Sequence, residues 1–416
     1  MQSLNNTNKT MIRKLFIIPL LMLISSCNDN NTITLTEGVW RAELQLTETE
    51  VLPFNFEVTS PDALKIFNAD EVIMVTDINY SKDTIVIKTP VFEGYIKAVL
   101  KDGSLRGSYI IESLDRSVPF YAQYGNSARF KIVTDTPEYN VGGNWEAIFS
   151  PNSDDSKYIA KGEFEQEGTK VLGTFRTTTG DYRYLEGVMD GHTMKLSAFD
   201  GAHAFLFTAT VNDSTMSGRF YSGNHWEEPF IAKRNDRFEL PSANDLTFLN
   251  EGYDALEFSF PDINGNVVSL SDDRFKNKVV VVQIMGSWCP NCLDESRYYS
   301  AYYDNAKGKE VEFVALAFEY AKTEAKALSS IKRLQDDVGI NYPILLAQVG
   351  TSSKLKAQEK LPMLNHILSY PTSIFIDKKG KVRKIHTGFN GPATGEKFTE
   401  FKAEFTSFVD ELMNEE

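Results

Sequence analysis

Two cysteines three residues apart, Cys289 and Cys292 in the run Gly286-Ser-Trp288-Cys289-Pro-Asn-Cys292, are the residues whose spacing most directly implies chemistry. A Cys-x-x-Cys at the start of a helix brings both sulfurs onto one face of the first turn, near enough to join and separate as a redox disulfide, Cys289-Cys292. Unpaired amide N–H groups and the positive end of the helix dipole favour a thiolate at the first position, which assigns Cys289 as the attacking sulfur. Cys292 lies one turn deeper, and its role is to resolve the mixed disulfide by attacking Cys289. Pro290 suits the first helical turn, where a missing N–H costs little. Competing readings use the same sulfurs. A zinc site needs two further ligands, and only scattered histidines are on offer. An inert disulfide closing so short a loop would add little stability. The expectation is a redox dithiol with no metal and no cofactor.

The flanking pattern supplies the elements such a pair needs. Val279-Val-Val-Val-Gln-Ile284 is a continuous apolar run suited to a strand covered on both faces, and Leu293 to Lys307 suits a helix. The cysteines therefore fall on a strand-to-helix turn. From about Leu256 onward strands alternate with helix-length segments, the mark of an α/β unit. Glu295 follows Cys292 by three residues. Resolution requires Cys292 to lose a proton, and a semi-buried carboxylate one turn away can be tuned to take it.

The run Trp288-Cys289-Pro290-Asn291-Cys292 in this frame resembles the thioredoxin fold and, more narrowly, the TlpA-like, ResA-like membrane-anchored thiol-disulfide oxidoreductases, over about residues 255 to 414. Phe258-Ser-Phe260-Pro261-Asp262-Ile-Asn-Gly265 with Val267-Val-Ser-Leu270 is similar to that family's opening hairpin. Tyr370-Pro371-Thr372-Ser-Ile-Phe-Ile-Asp377-Lys-Lys-Gly380-Lys-Val382 is similar to its second signature. The resemblance implies a cis-proline at Pro371, a client-binding edge at Tyr370 and Thr372, and Trp288 bounding the groove. It also implies that Glu295 handles the proton of the buried thiol, and that Gly395 to Asn414 is the closing helix. Gln283 stands where cytosolic thioredoxins carry a buried acid, which leaves Glu295 as the main acid–base candidate. Lys354 to Ser369 exceeds the simplest pattern of the fold. Gly388-Phe-Asn-Gly-Pro392 either lies near the proline or only joins the last strand to the final helix.

Ahead of this unit the chain reads as all-β. Thr84-Ile-Val-Ile-Lys88, Gly94-Tyr-Ile-Lys-Ala-Val-Leu100 and His203 to Val211 alternate, with Asp102-Gly103 and Asn212-Asp213 as turns. The region repeats itself at an offset of about 105 to 111 residues. Gly38-Val-Trp40 matches Gly143-Asn-Trp145, Phe92-Glu-Gly94 matches Phe199-Asp-Gly201, Leu105-Arg-Gly107 matches Met216-Ser-Gly218, and Pro119-Phe matches Pro229-Phe. Two copies of roughly four or five strands are expected to close together as one barrel or to stack as a sandwich. The Gly-x-Trp pair resembles the start of calycin barrels, and both tryptophans are assigned to the core. His192, His203 and His225 fit no zinc spacing.

The expected organisation is α+β and multidomain. It comprises a signal peptide at 1–27, a tether at 28–36, a β-rich domain at 37–235 with repeats at about 37–135 and 142–235, a linker at 236–254, and a thioredoxin-like α/β domain at 255–416. The leader rests on Arg13 and Lys14 before the apolar run Leu15 to Ile24, which is too short to span a bilayer. Met1 or Met11 is the start. Ile24-Ser-Ser-Cys27 resembles the bacterial lipobox, which implies lipidation at Cys27 and an extracytoplasmic, envelope-facing protein held by its lipid. With 416 residues, 42% of them hydrophobic, the chain can bury large cores, and three cysteines exclude a disulfide framework. Lys and Arg total 43 against 57 Asp and Glu, a net charge of −14, which argues against nucleic acid as a partner. The expected partners are envelope proteins with disulfides, a membrane thiol reductant and the membrane itself. The alternatives are an envelope ligand-binding or partner-binding lipoprotein whose redox domain is accessory, and a peroxiredoxin-like peroxidase. The peroxidase lacks the Thr or Ser expected three residues before the reactive cysteine, where Gly286 stands.

Overall fold

The computed structural model describes residues 34–134, 136–306 and 308–415. The leader, Cys27 and the first part of the tether lie outside the described residues. Among the described residues, no helix is long and apolar enough to cross a membrane.

The repeat is structural. In the first copy nine antiparallel strands run from Gly38–Gln45 to Arg116–Tyr124, and the first strand pairs with the last. Its two margins are the short strands Glu71–Val75 and Asp77–Ser81. In the second copy nine strands run from Gly143–Phe149 to Trp226–Arg234, again with first paired to last. Here Tyr158–Glu167 also pairs with Lys170–Thr177, which itself pairs with Leu185–Asp190, so eight strands close a ring. The ninth is the two-residue strand Gly180–Asp181, folded back on the end of Lys170–Thr177 as a hairpin at the rim.

Equivalent residues take equivalent places. Trp40, Ala42 and Leu44 lie opposite Tyr124, Ala122 and Phe120, and Trp145, Ala147 and Phe149 lie opposite Arg234, Ala232 and Phe230. Both tryptophans are fully buried, and each donates its indole N–H to the carbonyl four residues earlier, Thr36 at 2.9 Å and Val141 at 2.8 Å. Gly107 and Gly218 face Phe120 and Phe230 across their ladders. Alternation sets the inward face; in Ala63–Asn68, for example, Leu64, Ile66 and Asn68 are buried. Phe149, Phe175, Phe207 and Phe230 fill the second barrel, each contributing on the order of 2 kcal/mol by leaving water.

The expectation of roughly four or five strands per copy is corrected. Each copy has nine; the second closes on itself through the pairing of Tyr158–Glu167 with Lys170–Thr177, whereas the margins of the first, Glu71–Val75 and Asp77–Ser81, are joined through Thr76 without pairing. The copies meet side to side, with Phe199, Ala204, Leu206 and Tyr221 of the second joining the core of the first.

The C-terminal domain is thioredoxin-like. Its five-stranded sheet has the order Ile344–Gln348, Val311–Phe318, Val279–Met285, Thr372–Ile376, Val382–Thr387, the first three parallel and the last two antiparallel. Four helices accompany it among the described residues: α1 (Pro290–Asn305), α2 (Glu324–Val338), α3 (Lys354–Gln358) and α4 (Glu396–Asn414). The central strand Val279–Met285 is buried at every position, as its unbroken apolar run requires. Ser259–Pro261 and Val267–Ser269 form the opening hairpin. Val91 and Phe92 of the first barrel pack into this domain's core, and Arg333 of α2 donates to the Val91 carbonyl at 2.8 Å.

Candidate active site

The strand Val279–Met285 ends at the centre of the sheet and delivers the chain to Cys289, the N-cap of α1. Both cysteines are free thiols. The Cys292 amide donates to the Cys289 sulfur at 3.2 Å, and the Cys289 thiol faces the Tyr370 carbonyl at 3.4 Å. Cys289 keeps 7% of its surface exposed, whereas Cys292 has none. Burial raises the Cys292 thiol well above its usual range, and the neighbouring Cys289 sulfur and Glu295 add to the effect. A deep thiol of this kind needs help to shed its proton.

Glu295 is completely buried, and three donors converge on its carboxylate: Gln283 Nε2 at 2.8 Å, Ser373 Oγ at 2.9 Å and Tyr299 Oη at 3.2 Å. The single Tyr299 hydroxyl proton is shared with Ser373 Oγ, 2.7 Å away. Burial pushes the Glu295 carboxyl up to about 7, against the pull of those three hydrogen bonds. Gln283 also reaches the Cys292 carbonyl at 3.4 Å, tying the carboxylate to the backbone of the deep cysteine. The arrangement holds a carboxyl that changes protonation near neutrality within electrostatic reach of a thiol that must lose a proton.

The remaining sequence candidates gather around the sulfurs. The Tyr370–Pro371 bond is cis, and Thr372 is fully buried with its hydroxyl on the Ser369 carbonyl at 2.9 Å. Trp288 is half-buried, edge-on to Tyr370 at 5.6 Å, with its indole N–H on the Phe318 carbonyl at 3.0 Å. Gly388 donates to the Pro371 carbonyl at 2.9 Å, which puts the loop 388–392 beside the proline. Lys354 to Ser369 is partly α3 and partly a segment that pins Asn250 and Phe248 of the preceding connection through Pro362, Leu364 and Asn365. His203 stacks on Phe205 and lies 3.3 Å from Asp200.

Three groups escaped the sequence reading. Ser373 and Tyr299 complete the Glu295 network. Glu319, 1% exposed, follows the strand Val311–Phe318 and accepts from Ser287 N at 2.8 Å and Ser287 Oγ at 2.7 Å; burial pushes it up to about 7. The rim hairpin of the second barrel also reaches the site: the Asn291 side-chain amide donates to the Asp181 carbonyl at 3.1 Å and to that of Phe389 at 3.2 Å.

Comparison with known proteins places the likeness in this domain. Residues 250–402 match the Redoxin family. The thiol-disulfide oxidoreductase ResA of Bacillus subtilis is 31% identical over 140 residues, 34% of this chain and 69% of that protein. ResA of Bacillus thuringiensis subsp. konkukian is 28% identical over 155 residues, covering 37% of this chain and 78% of that protein. Among solved structures, a thiol:disulfide interchange protein of the thioredoxin family from Chlorobium tepidum is 21% identical, with a TM-score of 0.27, covering 36% of this chain and 97% of the other.

Proposed function

Since the chain belongs, through its C-terminal domain, to the ResA family of thiol-disulfide oxidoreductases, and is itself a disulfide oxidoreductase, we propose that its working group is the Cys289–Cys292 dithiol and that it reduces or exchanges disulfides in proteins of the cell envelope. The observation that carries this reading is the grouping of a thiol 7% exposed at the N-cap of α1, a fully buried thiol three residues on, and a buried carboxyl that burial pushes up to about 7.

The Cys289 thiolate attacks one sulfur of a client disulfide. A Cys289–client bond forms, the client S–S bond breaks, and one client thiolate leaves and takes up a proton from solvent. Glu295 in its carboxylate form then receives the Cys292 proton. The Cys292 thiolate attacks the Cys289 sulfur, the mixed disulfide breaks, and the second client thiolate is released. Two electrons have passed from the enzyme dithiol to the client. A membrane thiol reductant restores the dithiol by the reverse exchange. Tyr370, Pro371, Thr372 and Trp288 frame the approach, and the mature chain is held at the extracytoplasmic membrane surface through lipid on Cys27.

A trap tests the reading. Cys292→Ser in the full chain leaves Cys289 unable to release its client, so the expected product is a covalent Cys289 adduct with envelope proteins, identified by mass spectrometry. Adducts with cytosolic proteins alone would contradict the location, and no adduct with either proteins or a small aromatic disulfide would contradict Cys289 as the attacking sulfur.

A further inference from the structure

We propose that the hairpin Thr177–Arg183 of the second barrel occupies the groove in which a client chain would lie against Cys289, and thereby determines which disulfides the enzyme accepts: small ones in the closed arrangement, folded proteins only once the hairpin is displaced. This rests on the dithiol reading above.

The hairpin touches three segments that border the sulfurs. Asp181 receives the Asn291 side chain on its carbonyl, so it is bonded to a residue lying between the two cysteines. Its carboxylate accepts the Gly391 amide at 2.6 Å, from the loop after the last strand. Thr179 offers its carbonyl to Ser369 Oγ at 2.7 Å, two residues before Pro371. Gly180 sits so close to Asn291 that an added Cβ would overlap the Asn291 side-chain nitrogen, and its φ of +140° lies where glycine alone is comfortable. Arg183 is buried, bonds the Pro290 carbonyl at 3.3 Å, and pairs with Asp294 of α1 while also pairing with Glu71 and Asp200 of the barrels.

These are main-chain and side-chain contacts of the kind an extended client makes, supplied here by the enzyme itself. Beside these contacts Pro290, Asn291, Tyr370 and Pro371 are all buried. An oxidoreductase of protein disulfides cannot present such a face to a folded partner. Cys289 keeps 7% of its surface exposed, an opening that suits only a small disulfide. Beside Trp288 lies a cavity of about 280 Å³, lined by Trp288 and Tyr320 of this domain and by Phe92, Arg116, Ala202 and His203 of the barrels.

Size-graded labelling tests the inference. The reduced full-length protein is reacted with N-ethylmaleimide and with a maleimide bearing a long polyethylene glycol chain, and modification of Cys289 is followed by intact mass and peptide mapping. Two variants loosen the hairpin differently. Asp181→Ala removes the bonds from the Gly391 and Arg183 amides and leaves the Arg183 side chain its other carboxylate partners, whereas Gly180→Val wedges the hairpin away from Asn291. The expected result is slow labelling of the native chain by the bulky reagent. In both variants the bulky-to-small rate ratio should rise about tenfold, the scale on which one charge-assisted hydrogen bond shifts an equilibrium. Turnover of insulin relative to a small aromatic disulfide should rise in parallel. Equal labelling of the native chain by both reagents, with no change in either variant, overturns the inference while leaving the dithiol reading intact. Absence of labelling at Cys289 by either reagent in all three proteins overturns the dithiol reading and the inference with it.

Discussion

Glu295→Gln separates the two consequences of a buried carboxyl that titrates near neutrality. Moving a carboxyl from its usual 4.5 to about 7 corresponds to about 3 kcal/mol of preference for the protonated form in the folded chain. In the unfolded chain the group ionises at its ordinary value, so between pH 4.5 and 7 the folded state holds a proton that the unfolded state has released. Folding stability from this group is therefore intact at low pH, is lost as pH rises through that window, and stays lost above it. Glutamine carries no charge and escapes the loss. In urea unfolding of the reduced protein, the stability of Glu295→Gln relative to the native chain should climb by about 3 kcal/mol between pH 4.5 and 8. Glu319, also raised to about 7, titrates in both proteins and cancels in the difference. Catalysis should move the other way. The carboxylate receives the Cys292 proton, so resolution of a Cys289 mixed disulfide should accelerate through pH 7 in the native chain. In the variant the inflection near pH 7 should be absent, leaving only the steady rise with pH of an unassisted high-pKa thiol, and the rate should be about 100-fold slower at pH 8, the lower range for a lost general base. Parallel stability curves together with an unchanged resolution profile would refute the reasoning.

Two further perturbations probe the same physics elsewhere. Ser373→Ala removes a 2.9 Å donor from the Glu295 carboxylate; the midpoint of the resolution profile should move upward from about 7 by about one pH unit, read by the same single-turnover assay. Gly218→Ala, and its repeat counterpart Gly107→Ala, would each drive a methyl into a facing carbonyl, that of Thr208 or Lys97. Both should destabilise their barrel by about 4 kcal/mol or more, seen as lost soluble yield or a collapsed urea midpoint; tolerance of either would deny the close strand approach.

Legibility of the fold followed the range of the interactions that make it. Thr84–Lys88 and Val279–Met285 were readable because alternation and an unbroken apolar run are local patterns, and Cys289, Cys292 and Glu295 because their spacing on one helix is local too. The strand count per repeat was not. Glu71–Val75 and Asp77–Ser81 are five residues each, largely solvent-facing and separated by Thr76 alone, so no turn signal divides them. Two partners of Glu295 did leave traces. Tyr299 lies four residues on, over the same helix face, and Ser373 follows Pro371 by two. Glu319 had a positional signal as well, since it stands at the carboxyl end of a central parallel strand, where open α/β sheets place their functional groups. The hairpin over the site had none: Asn291 and Asp181 are 110 residues apart, Arg183 and Asp294 are 111, and either pair alone reads as solvated polar side chains.

The charge arrangement under that hairpin explains why it can both hold and let go. One guanidinium, Arg183, faces Glu71, Asp181, Asp200 and Asp294. Burial opposes its charge, yet the surrounding carboxylates keep it protonated, raising it well above its ordinary value. The carboxylates outnumber it, and burial pushes Asp181 up to about 6 and raises Asp294 as well. A buried cluster of this kind gives large pairwise attractions but little net free energy, because removing the charges from water costs nearly as much as their pairing returns. The same contacts therefore fix the hairpin in one position without binding it tightly. Hydrogen bonds and ion pairs hold the hairpin here, whereas Val91 and Phe92 anchor the other barrel into the redox core through burial that water cannot replace. Displacement should accordingly begin at the rim hairpin and pivot about the Val91–Phe92 contact, opening the Asn291 side of the site first.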